Sequence, residues 1–283
     1  DTGETTASEL LPAEKYGCHP IELLGHQVLA FRVSETGEDG YLFVTQAGDA
    51  RPLLDKLLQA GAPFGLREIG PDALDVLRVE AGIPRFGIDM DTTNRMPETT
   101  LERDAVSYDK GCYLGQEVIA KLRAYSSVKQ ALVGLVLESG EFPPIDTTIL
   151  LDGKEIGVLK SAVFSPTLDK HIALAYIDRD HRAPGVELDL PGREHKQAFR
   201  TNVVVRPFYV APTREERARQ LYEEALRHFE RDEQDEDDTA IKMLREAVLL
   251  SPAFEDAYEA LGVILNRHHR VDEAIHYMRI LAR

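Results

Sequence analysis

Between residues 128 and 209 the chain runs through six short apolar segments, separated by turn residues and showing no helical period. They read ALVGLVLE, TTILLDG, EIGVLKSAVF, HIALAYI, VELDL and FRTNVVVRPFY. Strands this short and this evenly spaced are accommodated best by a small closed barrel, which leaves no sheet edge unpaired. A small antiparallel β-barrel is therefore expected over residues 128–210. The rest of the chain follows other periods.

Ahead of the barrel, from about residue 21 to 123, short strands alternate with helices. VLAFRV (28–33) and YLFVT (41–45) read as strands joined through SETGEDG, whose glycines permit positive φ. Asp49 is placed to open a helix that carries Leu53, Leu54, Leu57 and Leu58 on one face, with Gly61 as its C-cap. A second helix is expected over PDALDVLRVEAG (71–82). Pro71 suits its first turn, Leu74, Leu77 and Ala81 share a face, and Gly82 stops it. Behind the barrel, APTREE (211–216) links to a helical region. There Ala240, Leu244 and Ala247 recur 34 residues later as Ala274, Met278 and Leu281. Tyr258, Leu261, Gly262 and Leu265 lie between them, at first-helix positions of a tetratricopeptide period. The small Gly262 and Ala274 allow paired helices to approach closely. An earlier repeat carries Leu221, Ala225 and Phe229 and is stretched by ERDEQDEDD (230–238), read as a solvated acidic turn. Such arrays need about three repeats to stand alone. This pair is expected to lean on the barrel, to pair with another chain, or to continue past Arg283. The fold class is α+β.

Composition narrows the function classes. At 283 residues the chain can bury more than one core. No apolar run approaches the roughly 18 residues that span a bilayer, so no membrane role is expected. The start, DTGETTASELLP, has neither an initiating methionine nor a signal pattern and reads as a fragment or a processed product. Cys18 and Cys112, the two cysteines, make no disulfide framework and favour a reducing, cytoplasmic setting. A formal net charge of −16 argues against general nucleic-acid binding, which requires clustered Lys and Arg. His268, His269 and His276 have no Cys or carboxylate at matching ligand spacing. They are expected to be solvated, and no metal site is assigned.

One short string carries candidate chemistry: KGCYLGQE, residues 110–117. GQEVIAKL can be helical, which sets the Cys112 thiol just ahead of a helix N-terminus. The helix-end charge and Lys110 would both favour thiolate. Gly111 and Gly115 permit close approach of backbone to a ligand, and Gln116 and Glu117 suit a first helical turn. The other reading is a buried cysteine acting as a small hydrophobe, the role expected of Cys18. A single thiol cannot hold an iron–sulfur cluster, which takes about four protein ligands, so a transient contact is expected.

SETGEDGYLFV (34–44), GPDALDVLRVEAGIPRFGIDMD (70–91) and GVLKSAVFSPTLDKHIALAYI (157–177) together resemble the glycine cleavage T-protein superfamily of tetrahydrofolate-binding proteins. KGCYLGQE resembles the mark of one branch, the YgfZ-like folate-dependent iron–sulfur maintenance proteins. The resemblance covers roughly residues 15–209. It implies a folate-binding domain over 1–127 that lacks its N-terminal half, a barrel domain over 128–210, and an added helical-repeat tail over 214–283. It implies tetrahydrofolate as cofactor, with Arg78 meeting the folate's glutamate tail and Tyr113, Gly111, Gly115 and Gln116 helping to hold the cofactor. Cys112 and Lys110 are the implied catalytic pair, and Glu80 is free to pair elsewhere in the chain. Glu35 and Leu42 stand where the T-proteins have an aromatic residue and a pterin-binding glutamate. The family's essential aspartate belongs to the absent half, so aminomethyl transfer by these residues alone is not expected. The implied function is folate-dependent support of iron–sulfur assembly or repair, with the repeats binding a protein partner and iron–sulfur proteins as clients. The alternatives are an aminomethyltransferase and a non-catalytic interaction module.

Overall fold

The computed structural model describes residues 11–125, 128–137, 143–190, 199–229 and 234–281. The chain divides into two units, Asp1–Val210 and Ala211–Arg283. Among the described residues no helix is long and apolar enough to cross a membrane.

The first unit opens on a three-stranded antiparallel sheet, β1 (Cys18–Leu23), β2 (His26–Arg32) and β3 (Tyr41–Val44), in the order β1-β2-β3. Strand β1 escaped the sequence pattern because Pro20 and the polar residues around it mask the inward pair. It exists because Leu24 and Gly25 adopt φ of 51° and 80°, the tight two-residue turn whose twist suits a hairpin. Ile21, Val28 and Ala30 face inward against Leu53 of α1 (Ala47–Gly61). That helix starts two residues before Asp49, which lies in its first turn rather than capping it. Gly61 stays within it, and the left-handed turn falls at Gly65, with φ of 77°. The opposite face of the sheet leaves Leu29, Leu42 and Val44 exposed.

Helix α2 (Pro71–Glu80) begins at its proline, and the chain turns out of it at Gly82, with φ of 68°. Its buried residues are not the apolar stripe that helical spacing suggests. They are Arg78, Val79 and Glu80, because the end of the helix presses onto the barrel through polar groups. Three short helices follow: α3 (Met96–Thr99), α4 (Glu102–Ala105) and α5 (Gln116–Tyr125).

The expected barrel is present and closed. Its strands are β4 (Gln130–Leu137), β5 (Thr148–Leu151), β6 (Lys154–Ser165), β7 (Lys170–Asp178), β8 (Glu187–Leu190) and β9 (Phe199–Val204). They close in the order β4-β7-β6-β5-β8-β9, and each strand is antiparallel to its neighbours. Strand β7 shows why the segment reads as continuously apolar. Ala173, Ala175 and Ile177 join the barrel interior, while Ile172, Leu174 and Tyr176 pack with Val79 of α2 on the outer face. Both faces are dry, so the alternation is between small and large rather than polar and apolar. A register irregularity between Leu159 and Ser161 bends β6 where α2 crosses it.

Among the described residues the second unit holds four helices: α6 (Arg214–Phe229), α7 (Gln234–Leu250), α8 (Glu255–Arg267) and α9 (Val271–Leu281). Thr213 and Glu216 cap α6 reciprocally, each side chain accepting the other's backbone N–H at 3.1 and 2.8 Å. One core runs through Leu221, Ala225, Leu244, Ala247, Leu261 and Leu265. A Cβ on Gly262 would meet Met278 Sδ at 2.8 Å, so glycine permits the close crossing of α8 and α9. The acidic run is not all a solvated turn. Residues 234–238 belong to α7, and 230–233 lie outside the described residues. Asp237 is buried and its Oδ2 lies 2.7 Å from His268 Nε2, so His268 is paired rather than solvated. Sequence spacing cannot show that the C-terminal end of α8 meets the first turn of α7.

Candidate functional site

A buried polar joint seats α2 on β6. Arg78 Nε donates to Asp75 Oδ1 at 2.7 Å, Nη1 donates to Asp89 Oδ2, and Nη2 donates to Ser161 Oγ at 2.7 Å. The Ser161 hydroxyl donates in turn to Asp89 Oδ1 at 2.5 Å. Side-chain exposure of Arg78 and Asp89 is 2% and 0%. The resemblance assigned Arg78 to a folate tail. The structure instead places its guanidinium inside the joint, with all three nitrogens engaged by the protein. Glu80 is likewise internal, accepting from Ser165 Oγ at 2.6 Å and Thr167 Oγ1 at 3.3 Å. Its backbone carbonyl accepts the N–H groups of Phe208 and Tyr209, which holds the segment after β9 against the end of α2.

Two cavities open beside this joint. The larger, about 960 Å³, lies between the loop after α2 (Gly82, Ile83, Pro84), the α3–α4 segment and the barrel segment Val204–Pro207. The smaller, about 580 Å³, is lined by Tyr16, Arg32 and the Gly37–Gly40 turn. Both include Ile83, Leu101 and Asp104, so they adjoin. Their sizes suit a ligand of drug or cofactor dimensions. The turn needs its glycines for packing: a Cβ on Gly37, at φ of 79°, would meet Ala81 Cβ at 3.0 Å, and one on Gly40 would meet Val33 O at 2.9 Å. Arg32 Nη2 braces it through Asp39 Oδ1 at 2.9 Å.

The large cavity presents Arg206 and Arg182 against Glu102 and Asp104. Arg206 Nη1 donates to Gly82 O at 2.6 Å, and Nη2 donates to Leu132 O at 2.9 Å and to Thr100 Oγ1. Among the described residues no carboxylate comes within ion-pair distance of it, and burial pushes its pKa down to about 10. Close by in the electrostatic sense is the Tyr176 hydroxyl, which is buried with no hydrogen-bond partner among the described residues. Burial, and then the Glu98 and Asp89 carboxylates, push that phenol up to about 12. A cationic wall with donors to spare suits carboxylates or carbonyl acceptors on a ligand. Leu42 lines neither cavity and cannot accept a hydrogen bond through its side chain.

The cysteine loop is a separate feature. Lys110, Gly111, Cys112 and Leu114 are exposed, and none lines either cavity. Lys110 Nζ sits 5.1 Å from the Tyr113 ring centroid, a cation–π contact that holds the ammonium within the loop. Gly115, at φ of 88°, turns the chain into α5, and Gln116 is the first helical residue. The thiol therefore stands just ahead of that helix, free and exposed. Cys18 is also free and exposed, contrary to the structural role expected of it. Strand alternation sends Ile21 inward and leaves Cys18 on the open face, opposite Phe31. Among the described residues no group of His, Cys, Asp and Glu is arranged to hold a metal ion.

The structure thus gathers Lys110, Gly111, Cys112, Tyr113, Gly115 and Gln116 into one loop and sets Arg78 apart from them. Sequence reasoning missed Arg206 and Tyr108 of the cavity wall. A lone arginine ahead of a proline was the only trace of the first, and nothing in the pattern marked the second.

Sequence models of two known domains match the chain. The GCVT N-terminal domain matches residues 6–110, and the glycine cleavage T-protein C-terminal barrel domain matches residues 130–209. An aminomethyltransferase of Streptomyces avermitilis is 33% identical over 209 residues, which cover 72% of this chain and 55% of that protein. An aminomethyltransferase of Saccharopolyspora erythraea is 35% identical over 206 residues, with the same shares covered. The crystal structure of glycine cleavage system aminomethyltransferase T from Bartonella henselae superposes with a TM-score of 0.61 at 24% identity. It covers 72% of this chain and 54% of that one, and its likeness is one of fold. The chain spans about half the length of the curated relatives it matches.

Proposed function

The chain belongs to the glycine cleavage T-protein superfamily, and from that premise we propose that it binds tetrahydrofolate and supports iron–sulfur protein assembly or repair, in the manner of the YgfZ-like branch. The observation that carries the reading is the cysteine loop. Cys112 is exposed on a glycine-flanked turn ahead of α5, beside a lysine held against Tyr113. An interior cysteine would be a packing residue, whereas this thiol is presented to an incoming partner. When bound, tetrahydrofolate supplies a one-carbon carrier. In this reading it occupies the adjoining cavities, with Arg206 and Arg182 as the cations for its glutamate carboxylates. Arg78 acts by fixing Ile83 and the cavity wall, its carbonyl accepting the Ile83 N–H at 2.8 Å. Gly111, Tyr113, Gly115 and Gln116 shape the loop that offers the thiol.

Conventional aminomethyl transfer is the less favoured reading, because Leu42 offers no acceptor for pterin N–H donors and each such lost bond costs about 1–3 kcal/mol. The helical unit is proposed as a tetratricopeptide-like module that binds a protein partner, and iron–sulfur proteins are the proposed clients. The test uses Cys112→Ser. Because the side chain is exposed, melting temperature should hold, and calorimetry should give unchanged tetrahydrofolate affinity. Iodoacetamide should label Cys112 faster than Cys18 in the parent chain, and Lys110→Ala should slow that labelling. Cells dependent on this protein should lose iron–sulfur enzyme activity with the serine variant. A stable serine variant with full support of that activity overturns the reading.

A further inference from the structure

The outer face of the last helical hairpin is apolar and unpartnered within the described residues. A groove of about 460 Å³ runs between α8 and α9, floored by Gly262 and Ala274 and edged by Val263, Ile275 and Met278. The 34-residue period supplies an internal control for that exposure. Ile241 and Leu244 of α7 are 3% and 0% exposed within the core of the unit, whereas their counterparts on α9, Ile275 and Met278, are 43% and 46% exposed. The same kind of face is covered once in this unit and left open once.

Spacing and charge say what fits there. Val271, Ile275 and Met278 follow one another at four and then three residues, the seam of a helix that packs against another at a shallow angle. Asp272 and Arg279 flank this seam on the same side, both exposed and with no ion pair among the described residues. In a parallel pair this flank of one copy lies across the seam from the opposite flank of the other, so Asp272 and Arg279 would not meet. An antiparallel one, with Ile275 opposite Met278 of the partner subunit, brings Asp272 beside Arg279 of the partner subunit and, by symmetry, Arg279 beside Asp272 of the partner subunit. The surface is self-complementary, which is what a twofold interface requires.

We propose that this chain pairs with a second copy of itself through the α8–α9 face, the two α9 helices running antiparallel across a twofold axis with reciprocal Asp272–Arg279 pairs. The patch is small, so the pairing is weak and concentration-dependent.

Sedimentation equilibrium of the full chain from about 5 to 500 µM tests this, a range chosen to bracket dissociation constants typical of small interfaces. The parent chain should show a monomer–dimer equilibrium. Ile275→Glu should abolish it while leaving helical circular dichroism intact, because the site is already half exposed. Asp272→Arg and Arg279→Asp should each weaken pairing on the order of tenfold, two reciprocal ion pairs being replaced by repulsions. The double variant Asp272→Arg/Arg279→Asp should recover it, since the swapped charges again meet opposite partners. A chain that stays monomeric throughout the range overturns the proposal, as does a dimer indifferent to Ile275→Glu. Failure of the double variant to recover dimerisation overturns the antiparallel register.

Discussion

Replacing Arg78 by methionine separates the two roles that this residue could have. The substitution keeps the length and apolar stem of the side chain and removes its charge. It would leave the Asp89 carboxylate, 0% exposed, with only the Ser161 hydroxyl and the Arg85 backbone N–H, the latter at 2.9 Å, as remaining partners. Breaking a buried ion pair by removing one member costs about 3–5 kcal/mol, because the surviving charge stays desolvated. In a unit of this size each kcal/mol moves the melting temperature by roughly 2–4 °C, so a drop on the order of 10 °C is expected. Adding Asp89→Asn removes the stranded charge: its one carbonyl oxygen can accept the Arg85 N–H, and its NH2 group can donate to the Ser161 hydroxyl, which turns from donor to acceptor. The double variant should regain about half of the loss. Guanidinium denaturation followed by tyrosine fluorescence measures this, since the chain has ten tyrosines and no tryptophan. Folate affinity measured under native conditions completes the assay. A methionine variant within about 1 kcal/mol of the parent that has lost folate binding would show that the guanidinium serves a ligand and that the joint is secondary, refuting the reasoning.

Tyr176→Phe should leave stability at neutral pH unchanged or raise it by about 1 kcal/mol, because it deletes a buried hydroxyl with no partner among the described residues. The phenol's folded pKa of about 12 lies above its unfolded value of 10.0, so its contribution is fully present below pH 10 and is lost as pH rises through about 12. Thermal melts across that interval should show a steeper alkaline decline for the parent than for the phenylalanine variant; equal slopes would contradict this. Gly157→Ala should destabilise the barrel by about 1–3 kcal/mol, since overpacking against backbone cannot be relieved by a rotamer change. Its Cβ would fall 2.2 Å from Tyr176 O, and a melting temperature unchanged from the parent would show that β6 can shift away.

The elements that were legible in the sequence are those whose signal is local. The barrel announced itself through six short runs with turns between them, and hydrogen-bond closure follows from strand length and spacing. The period of 34 residues placed Ala240 and Ala274 on equivalent helix faces, and both are buried. Pro71 and Gly82 bounded α2 correctly, because each acts through its own backbone dihedrals. Strand β1 was not legible, since its evidence lies in a turn that forces Leu24, a residue with no preference for it, to positive φ.

What the tertiary structure alone decided is which polar groups are buried and against what. Arg78 and Glu80 look like surface residues on a helical wheel, and their burial depends on Ser161 and Ser165, more than 80 residues away. A charge can be enclosed only where its partners converge, and that convergence is a property of the closed barrel and of the crossing of α2 over β6. The same holds for the thiols: chain spacing could not say that Cys18 and Cys112 both face outward, because exposure is set by which side of a strand or loop another element covers. Local dihedral preferences and periodicity are written residue by residue, so the sequence by itself determined where strands, helices and turns form. Desolvation and charge pairing are many-body effects, so the cavity, the buried joint and the open faces were settled only by how those elements meet.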